Sequence, residues 1–375
     1  MKIVVAADSF KGCLSSLEVG NAIRRGILRS NSDAEIKVFP ISDGGEGLSE
    51  ALKKYYNTET VEIEVTGPQF SKVKACYGYN PERQLAVMEM ASAAGLPLVK
   101  GKKDPETATT YGVGEMIIDA LDRGTTEFII GIGGSATNDG GIGMLSALGF
   151  GFFDGSGRKV SPNALGLKNL VSIDATGADK RLKKCRFNVA CDVDIPLCGD
   201  NGCSKIFAPQ KGASPEDITE MDEWLDKYAE LTRKVIAKSD KNIPGSGAAG
   251  GMGFAFRSYL NAELKPGIDL VIAYTGLETA IKVADLVITG EGRIDGQTAK
   301  GKVVSGVARV AKKYGKKVIA FCGSASNGVS VPGLDEIIQI TPKNMPIEEA
   351  MKADVAIENL ERTAGMIGSN ISFVI

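Results

Sequence analysis

The sequence predicts an α/β protein in which a Rossmann-like parallel-sheet domain, formed by both termini, carries a larger inserted α/β domain. Three observations point there. Strands alternate with helical segments at both ends of the chain, three short strands follow one another near residue 66, and glycine and aspartate gather directly after strands. Alternation favours a parallel sheet covered by helices, whereas consecutive strands favour antiparallel pairing. At 375 residues the chain also exceeds what one core usually supports.

The first element is KIVVAA (2–7), a strand leading into the turn DSFKG. Ser15 and Glu18 then have the spacing of a capping box, which predicts a helix over roughly residues 15–30. EIKVFP (35–40) is the next strand, ISDGGEG (41–47) its loop and LSEALKKYY the following helix. The character changes at Thr66, where VEIEVTGP, KVKACYGY and LAVMEM read as an antiparallel patch. A helix at GVGEMIIDALDRG, strands EFIIGIGG and RFNVACDV, and a long helix opened by Ser214-Pro215-Glu216-Asp217 follow. Past residue 284 the alternation returns: DLVITG (285–290), the helix KVVSGVARVAKKYG, the strands KKVIAFCG and EIIQIT, and a last helix. The expected domains are 1–65 plus 285–375 and 66–284, with the active site in the cleft between them.

A net charge of −2 without a basic block argues against a nucleic-acid partner, which would need clustered cations. No apolar run approaches the ~20 residues that span a bilayer. The opening MKIVVAADS lacks the longer apolar region of a secretory signal, so a soluble, cytoplasmic protein is expected. Seven scattered cysteines without C-x-x-C fit a reducing compartment, with Cys13, Cys191 and Cys322 as small buried hydrophobes. Histidine is absent. Acid–base chemistry must therefore fall to Asp, Glu, Lys, Tyr, Ser or Cys, and oxygen ligands would select a hard cation such as Mg²⁺.

Chemistry concentrates in the loops after strands: DSFKG, SDGGEG, GIGGSATNDGG, ACDVDIPLCG, GEGRIDGQ and CGSASNG. In open α/β sheets ligands bind outside the carboxyl ends of strands, so these loops are expected to share a cleft. GIGGSATNDGG is the richest, and it opens a stretch with seven glycines from Gly131 to Gly149. Glycine permits either close approach of a phosphate to backbone N–H groups at a helix start, or close packing of the helix itself. Gly131-x-Gly133-x-x-Ala136 also fits a dinucleotide fingerprint, with Asp154 at the distance of a ribose-binding acid. GQTAKGK (296–302) lacks the Ser or Thr of a P-loop, since Val303 follows, but leaves Lys300 and Lys302 as phosphate neighbours.

The acids Asp8, Asp43, Glu46, Asp192, Asp194, Glu291 and Asp295 fall in these loops, with the cations Lys11, Lys211 and Arg293. In ACDVD the apolar lead-in is expected to place Asp192 at a buried strand end, where an unpartnered carboxylate is costly. GSGAAGGMGFAF (245–256) is a second small-residue entry to a helix, suited to close packing or to ligand contact.

ADSFKG (7–12), DGGEG (43–47), GIGGSATNDGG (131–141), ACDVDIPLCG (190–199), PQKGA (209–213), GAAGGMG (247–253), KPGID (265–269) and ITGEGRIDGQT (288–298) occur in this order. The set closely resembles the bacterial two-domain glycerate kinases of type I, from the first strand to the last helix. Cys13 and Ile195 depart from the pattern, which commonly has Ser and Asn there. The resemblance implies a Rossmann-like domain with a long insertion, and ATP-dependent phosphorylation of D-glycerate, usually at the 2-hydroxyl.

Phosphoryl transfer asks a protein mainly for positioning and charge stabilisation. On this reading Asp192 is the expected base, with Asp194 orienting it or holding Mg²⁺ and Asp8 beside the reacting groups. Gly133, Gly134, Ser135 and Thr137 would cradle the phosphates of ATP, with Asn138 or Asp139 near the metal. Lys11 would neutralise the transferring phosphoryl, while Ser9, Asp43, Arg293, Glu291 and Asp295 position glycerate. Lys11 and Arg293 could exchange duties. The rival readings are an NAD(P)-dependent oxidoreductase of a small hydroxy acid, using the Gly131–Ala136 fingerprint, and a non-catalytic nucleotide-binding protein.

Overall fold

The computed structural model describes residues 1–41, 48, 52, 55–296, 298 and 303–369. Asp43, Glu46, Lys300, Lys302 and most of the expected helix LSEALKKYY lie outside the described residues. Two compact units emerge, one drawn from both ends of the chain and one from Tyr56–Lys265.

The terminal unit is built on a five-stranded parallel sheet. Across it run Glu336–Gln339, Lys317–Ala325, Leu286–Ile294, Lys2–Ala7 and Glu35–Val38. The three central strands are nearly unbroken apolar runs because helices bury both of their faces. On one face Ile3, Val5, Ile288 and Phe321 pack with Val19, Ile23 and Ile27 of the helix Ser16–Ser30 and Leu360 of Ala353–Ser369. On the other, Ala320 and Cys322 meet Val304 of the helix Val303–Lys313. The capping box predicted for Ser15 and Glu18 is present, and the Ser15 N–H and hydroxyl hold the Glu18 carboxyl below its usual range. Numbered within the unit, the strand order is 2-1-3-4-5. This doubly wound order reverses between the first and third strands, Lys2–Ala7 and Leu286–Ile294.

The inserted unit carries a six-stranded sheet in the order Glu263–Lys265, Arg186–Ala190, Glu127–Gly131, Leu85–Glu89, Lys72–Asn80, Glu59–Thr66. The first four strands are parallel, and the last two add the antiparallel patch. The helices Tyr111–Asp122, Pro215–Val235 and Ala248–Leu260 enclose its core with Phe128, Phe187, Trp224 and Phe256.

The units part at Lys265–Pro266 and ahead of Tyr56, not at 284 and 66. The helices Gly267–Thr275 and Leu277–Lys282 belong to the terminal unit because they seat on Val303–Lys313. A Cβ at Gly306 would stand 2.6 Å from Ile268 Cγ1, so only glycine admits that crossing. Glu59–Thr66 pairs with Lys72–Asn80 along its whole length and so belongs to the insert. Of the cysteines expected to be buried, Cys322 is, while Cys13 and Cys191 are half-buried and Cys203 takes a core position instead.

Candidate active site

In the terminal unit the sheet's reversal brings together the loop after Lys2–Ala7 and the end of Leu286–Ile294. The Asp8 N–H donates to the Gly290 carbonyl at 2.8 Å, which continues the ladder one residue past the first strand. Asp8 is 6% exposed, and one carboxylate oxygen accepts from the Ser9 N–H at 2.7 Å. Phe10 and Leu14 exchange backbone hydrogen bonds at 2.9 and 3.0 Å around Gly12, whose φ of +74° suits glycine. That tight loop anchors the buried Phe10 and Leu14 while Lys11 stays exposed. Beneath it, the Ser16 hydroxyl donates to the Ala7 carbonyl at 2.6 Å and accepts from the Ile41 N–H at 2.8 Å.

Glu291 and Arg293 were expected in a loop. They lie on the strand, which runs on to Ile294 in register with Cys322 and Ser324. Buried Thr298, not foreseen, donates its hydroxyl to Glu291 Oε1 at 2.5 Å and accepts from the Asp295 N–H at 3.1 Å, so that it ties the Glu291 carboxylate to the Asp295 backbone. Arg293 Nε lies 3.5 Å from Asp295 Oδ2, with the Arg293 side chain 71% exposed. Asp8, Ser9, Lys11, Glu291, Arg293 and Asp295 thus all sit at the sheet's switch point. Asp43 lies outside the described residues.

In the inserted unit the loop after Glu127–Gly131 divides in two. Gly134 is exposed, Gly133 half-buried and Ser135 nearly buried, forming a rim; Thr137, Asn138 and Asp139 are wholly buried beneath it. Asn138 donates to the Ser204 hydroxyl at 2.9 Å, while its side-chain oxygen and the Thr137 hydroxyl have no hydrogen-bond partner among the described residues. Expected near a metal, Asp139 instead holds the fold together. Its carboxylate accepts from the Thr110 N–H (2.9 Å) and hydroxyl (2.7 Å) and from the N–H groups of Gly141 (2.9 Å) and Gly143 (3.3 Å). Burial pushes its pKa up against those four bonds.

The glycines that follow answer to packing. Gly140 and Gly141 have φ of +63° and +78°, and the helix behind them, Ile142–Ala147, is short. A Cβ at Gly140 would stand 2.9 Å from the Tyr228 ring, and one at Gly141 2.5 Å from Ala255 Cβ. At Gly143 it would stand 2.6 Å from Thr109 Oγ1. Close packing requires all three. The GSGAAGG segment packs likewise. Ala249, Gly250 and Gly251 are left-handed in succession, the Gly250 carbonyl accepts from the Gly140 N–H at 2.9 Å, and a Cβ at Gly250 would collide with the Thr137 carbonyl.

The strand Arg186–Ala190 ends two residues before Asp192. Cys191, half-buried, continues the pairing by one bond, its N–H donating to the Lys265 carbonyl at 2.9 Å, and desolvation pushes its thiol up to about 11. Asp192 and Asp194 are exposed, against the expectation of a buried strand end. The dinucleotide reading also fails on geometry. No helix opens within the fingerprint, and Asp154 Oδ1 accepts from the Ser156 N–H at 2.8 Å and hydroxyl at 2.7 Å in a turn of its own. Those bonds pull the Asp154 carboxyl down to about 2.

The model of the Glycerate kinase family matches residues 3–372. The chain belongs to the glycerate kinase family. It is 44% identical to a glycerate kinase of Bacillus subtilis, covering 99% of this chain and 98% of that one. It is 46% identical to a glycerate 2-kinase of Escherichia coli, with 99% and 98% covered. A crystal structure assigned as glycerate kinase 2 of Salmonella typhimurium LT2 matches with a TM-score of 0.89 and 44% identity, covering 100% of this chain and 98% of that one. Sequence reasoning overlooked Thr298 and the bonding of Asp139 to Thr110, Gly141 and Gly143. The N-D-G-G string did carry the signal for the latter, since aspartate before glycine commonly bonds the backbone ahead of it.

Proposed function

We propose that this protein transfers the terminal phosphoryl group of ATP to the 2-hydroxyl of D-glycerate, giving 2-phosphoglycerate and ADP. The observation that carries the reading is the gathering of Asp8, Ser9, Lys11, Glu291 and Arg293 at the switch point of a chain in this family. Glycerate offers a carboxylate and two hydroxyls. The carboxylate needs a cation able to fork onto it, and exposed Arg293 supplies one. The hydroxyls need acceptors, which Asp8, Glu291 and Asp295 provide, with Ser9 completing the set.

Without histidine the proton of the reacting hydroxyl goes to a carboxylate. Burial was the ground for choosing Asp192, and in the structure that ground belongs to Asp8, held at the end of the strand Lys2–Ala7. Asp8 is therefore the proposed base. Lys11 stabilises charge on the phosphoryl group in transit. The rim Gly133–Ser135 seats the nucleotide phosphates.

Among the described residues no group of three or more acids or cysteines could cage a metal. Mg²⁺ is commonly held through one or two carboxylates plus substrate phosphates and keeps its remaining waters. Asp192 and Asp194, exposed and two residues apart, are the side chains proposed to hold it. When bound, Mg²⁺ supplies charge neutralisation on the phosphate oxygens. Seven unpaired cysteines support a reducing, cytoplasmic setting.

The test is ADP release from purified protein with Mg-ATP and D-glycerate, followed by ³¹P NMR of the product. Glycerate-dependent ADP release and a 2-phosphoglycerate signal are expected. No glycerate-dependent turnover would sink the reading, and 3-phosphoglycerate would overturn the regiochemistry.

A further inference from the structure

Beneath the exposed rim of the Gly133–Ser135 loop lies a buried cation with no carboxylate within salt-bridge distance among the described residues. Lys211 is 2% exposed. Its ammonium donates to the Ser135 hydroxyl at 2.9 Å and to the Thr137 carbonyl at 2.6 Å. The 3₁₀ turn Pro209–Lys211 aims it there. That turn ends on Gly212, left-handed at φ +98°, where a Cβ would stand 2.9 Å from Lys103 Cβ, so the backbone is locked directly after the lysine. Burying an ammonium without an adjacent counter-charge is expensive, and two hydrogen bonds to neutral oxygens offset only part of the cost.

We propose that Lys211 is the positioning residue of the phosphate loop, holding Ser135 so that its hydroxyl donates outward to a nucleotide phosphate and completing its own charge balance only when that anion is seated. The inference rests on the reading of this loop as the nucleotide site. Because the Ser135 oxygen accepts from Lys211, its own proton is left for another acceptor, and the solvent side of the loop is where an anion would supply one. Thr137, two residues on, has its backbone carbonyl tied to the same ammonium while its hydroxyl lacks a partner among the described residues. The loop's conformation and its electrostatics thus converge on one nitrogen.

The titratable groups that act on this ammonium are Asp139 and Cys203. The Cys203 thiol is pushed up to about 12 by burial and stays neutral, and Asp139 spends its carboxylate on four donors of its own. Burial lowers the Lys211 pKa to about 8. Below that value the ammonium keeps its proton and the anion meets a positive loop. As pH rises through it, the charge and the affinity it supports are lost.

Calorimetric titration of the full-length protein with MgADP tests this. Lys211→Met is expected to weaken MgADP by at least about tenfold, beyond any change in melting temperature, because a charge-assisted contact has gone. Lys211→Arg is expected to retain most of the affinity and to flatten its decline above pH 8, since guanidinium does not deprotonate in that range. If Lys211→Met is too unstable to titrate, the wild-type and Lys211→Arg pH profiles decide alone. MgADP affinity that is wild-type in Lys211→Met, or equally flat with pH in wild type and Lys211→Arg, would overturn the proposal. A parallel Gly134→Asp variant separates the two failures: aspartate tolerates the left-handed φ of +73° and places an anion on the rim. If Gly134→Asp weakens MgADP while Lys211→Met does not, only the lysine's role falls. If neither does, the loop is not the nucleotide site.

Discussion

At the scale of single residues, two carboxylates in similar sequence settings end in different physical ones. Asp8 and Asp192 each follow an apolar run, yet Asp8 remains in the ladder through its bond to Gly290 while Asp192 leaves the sheet two residues after Ala190. The sequence cannot separate them, because where a strand ends depends on what its neighbour offers. The neighbour of Lys2–Ala7, Leu286–Ile294, runs on past the partner of Ala7, whereas Glu127–Gly131 and Glu263–Lys265 both stop level with Ala190. A base at Asp8 predicts that Asp8→Asn lowers kcat by about 10²- to 10⁴-fold with little change in KM for ATP. Asp192→Asn is expected to raise the Mg²⁺ concentration needed for half-maximal rate while keeping more of kcat. Steady-state kinetics across a Mg²⁺ series checks both, and the reverse pattern would return the proton to Asp192.

At the scale of elements, legibility followed the kind of signal. The capping box at Ser15–Glu18 and the Ser-Pro-Glu-Asp start at residue 214 mark where a helix begins, and both helices open there, the second also with a capping box. Apolar runs located the central strands for the same reason: burial on both faces leaves no polar alternation to misread. A glycine says less, because it records that no Cβ is tolerated without naming what would collide. Gly134 and Gly250 make the contrast measurable. Both have positive φ, +73° and +67°, but a Cβ at Gly134 would meet only Ala91 Cβ at 3.4 Å, whereas at Gly250 it would strike the Thr137 and Asn138 backbone. Gly134→Ala should therefore cost about 1–2 kcal/mol, from left-handed strain alone. Gly250→Ala should add about 1–3 kcal/mol of overpacking to that. Denaturant midpoints resolve the difference, and equal losses would mean that the 245–251 segment does not pack on the loop as described.

At the scale of the whole molecule, each unit has its own sheet and core, and each holds one set of the residues proposed to bind substrate. The boundary at Lys265–Pro266 was hidden in the sequence because the helix Gly267–Thr275 declares its allegiance only through the tertiary contact of Ile268 with Gly306. That assignment matters for function. A ligand stabilises the state it binds by RT ln(1 + [L]/Kd), and where a molecule opens in separate parts the protection is greatest in the part that makes the contacts. D-Glycerate is therefore expected to slow backbone hydrogen exchange in the peptides around Ala7–Leu14 and Thr289–Ile294. MgADP should instead slow exchange around Ile132–Gly143 and Pro209–Ala213. Exchange mass spectrometry on the intact protein, with each ligand added separately, reads both at once. Reversed patterns, with glycerate protecting the glycine loop and nucleotide protecting the DSFKG turn, would exchange the two sites and remove the ground for placing the base at Asp8.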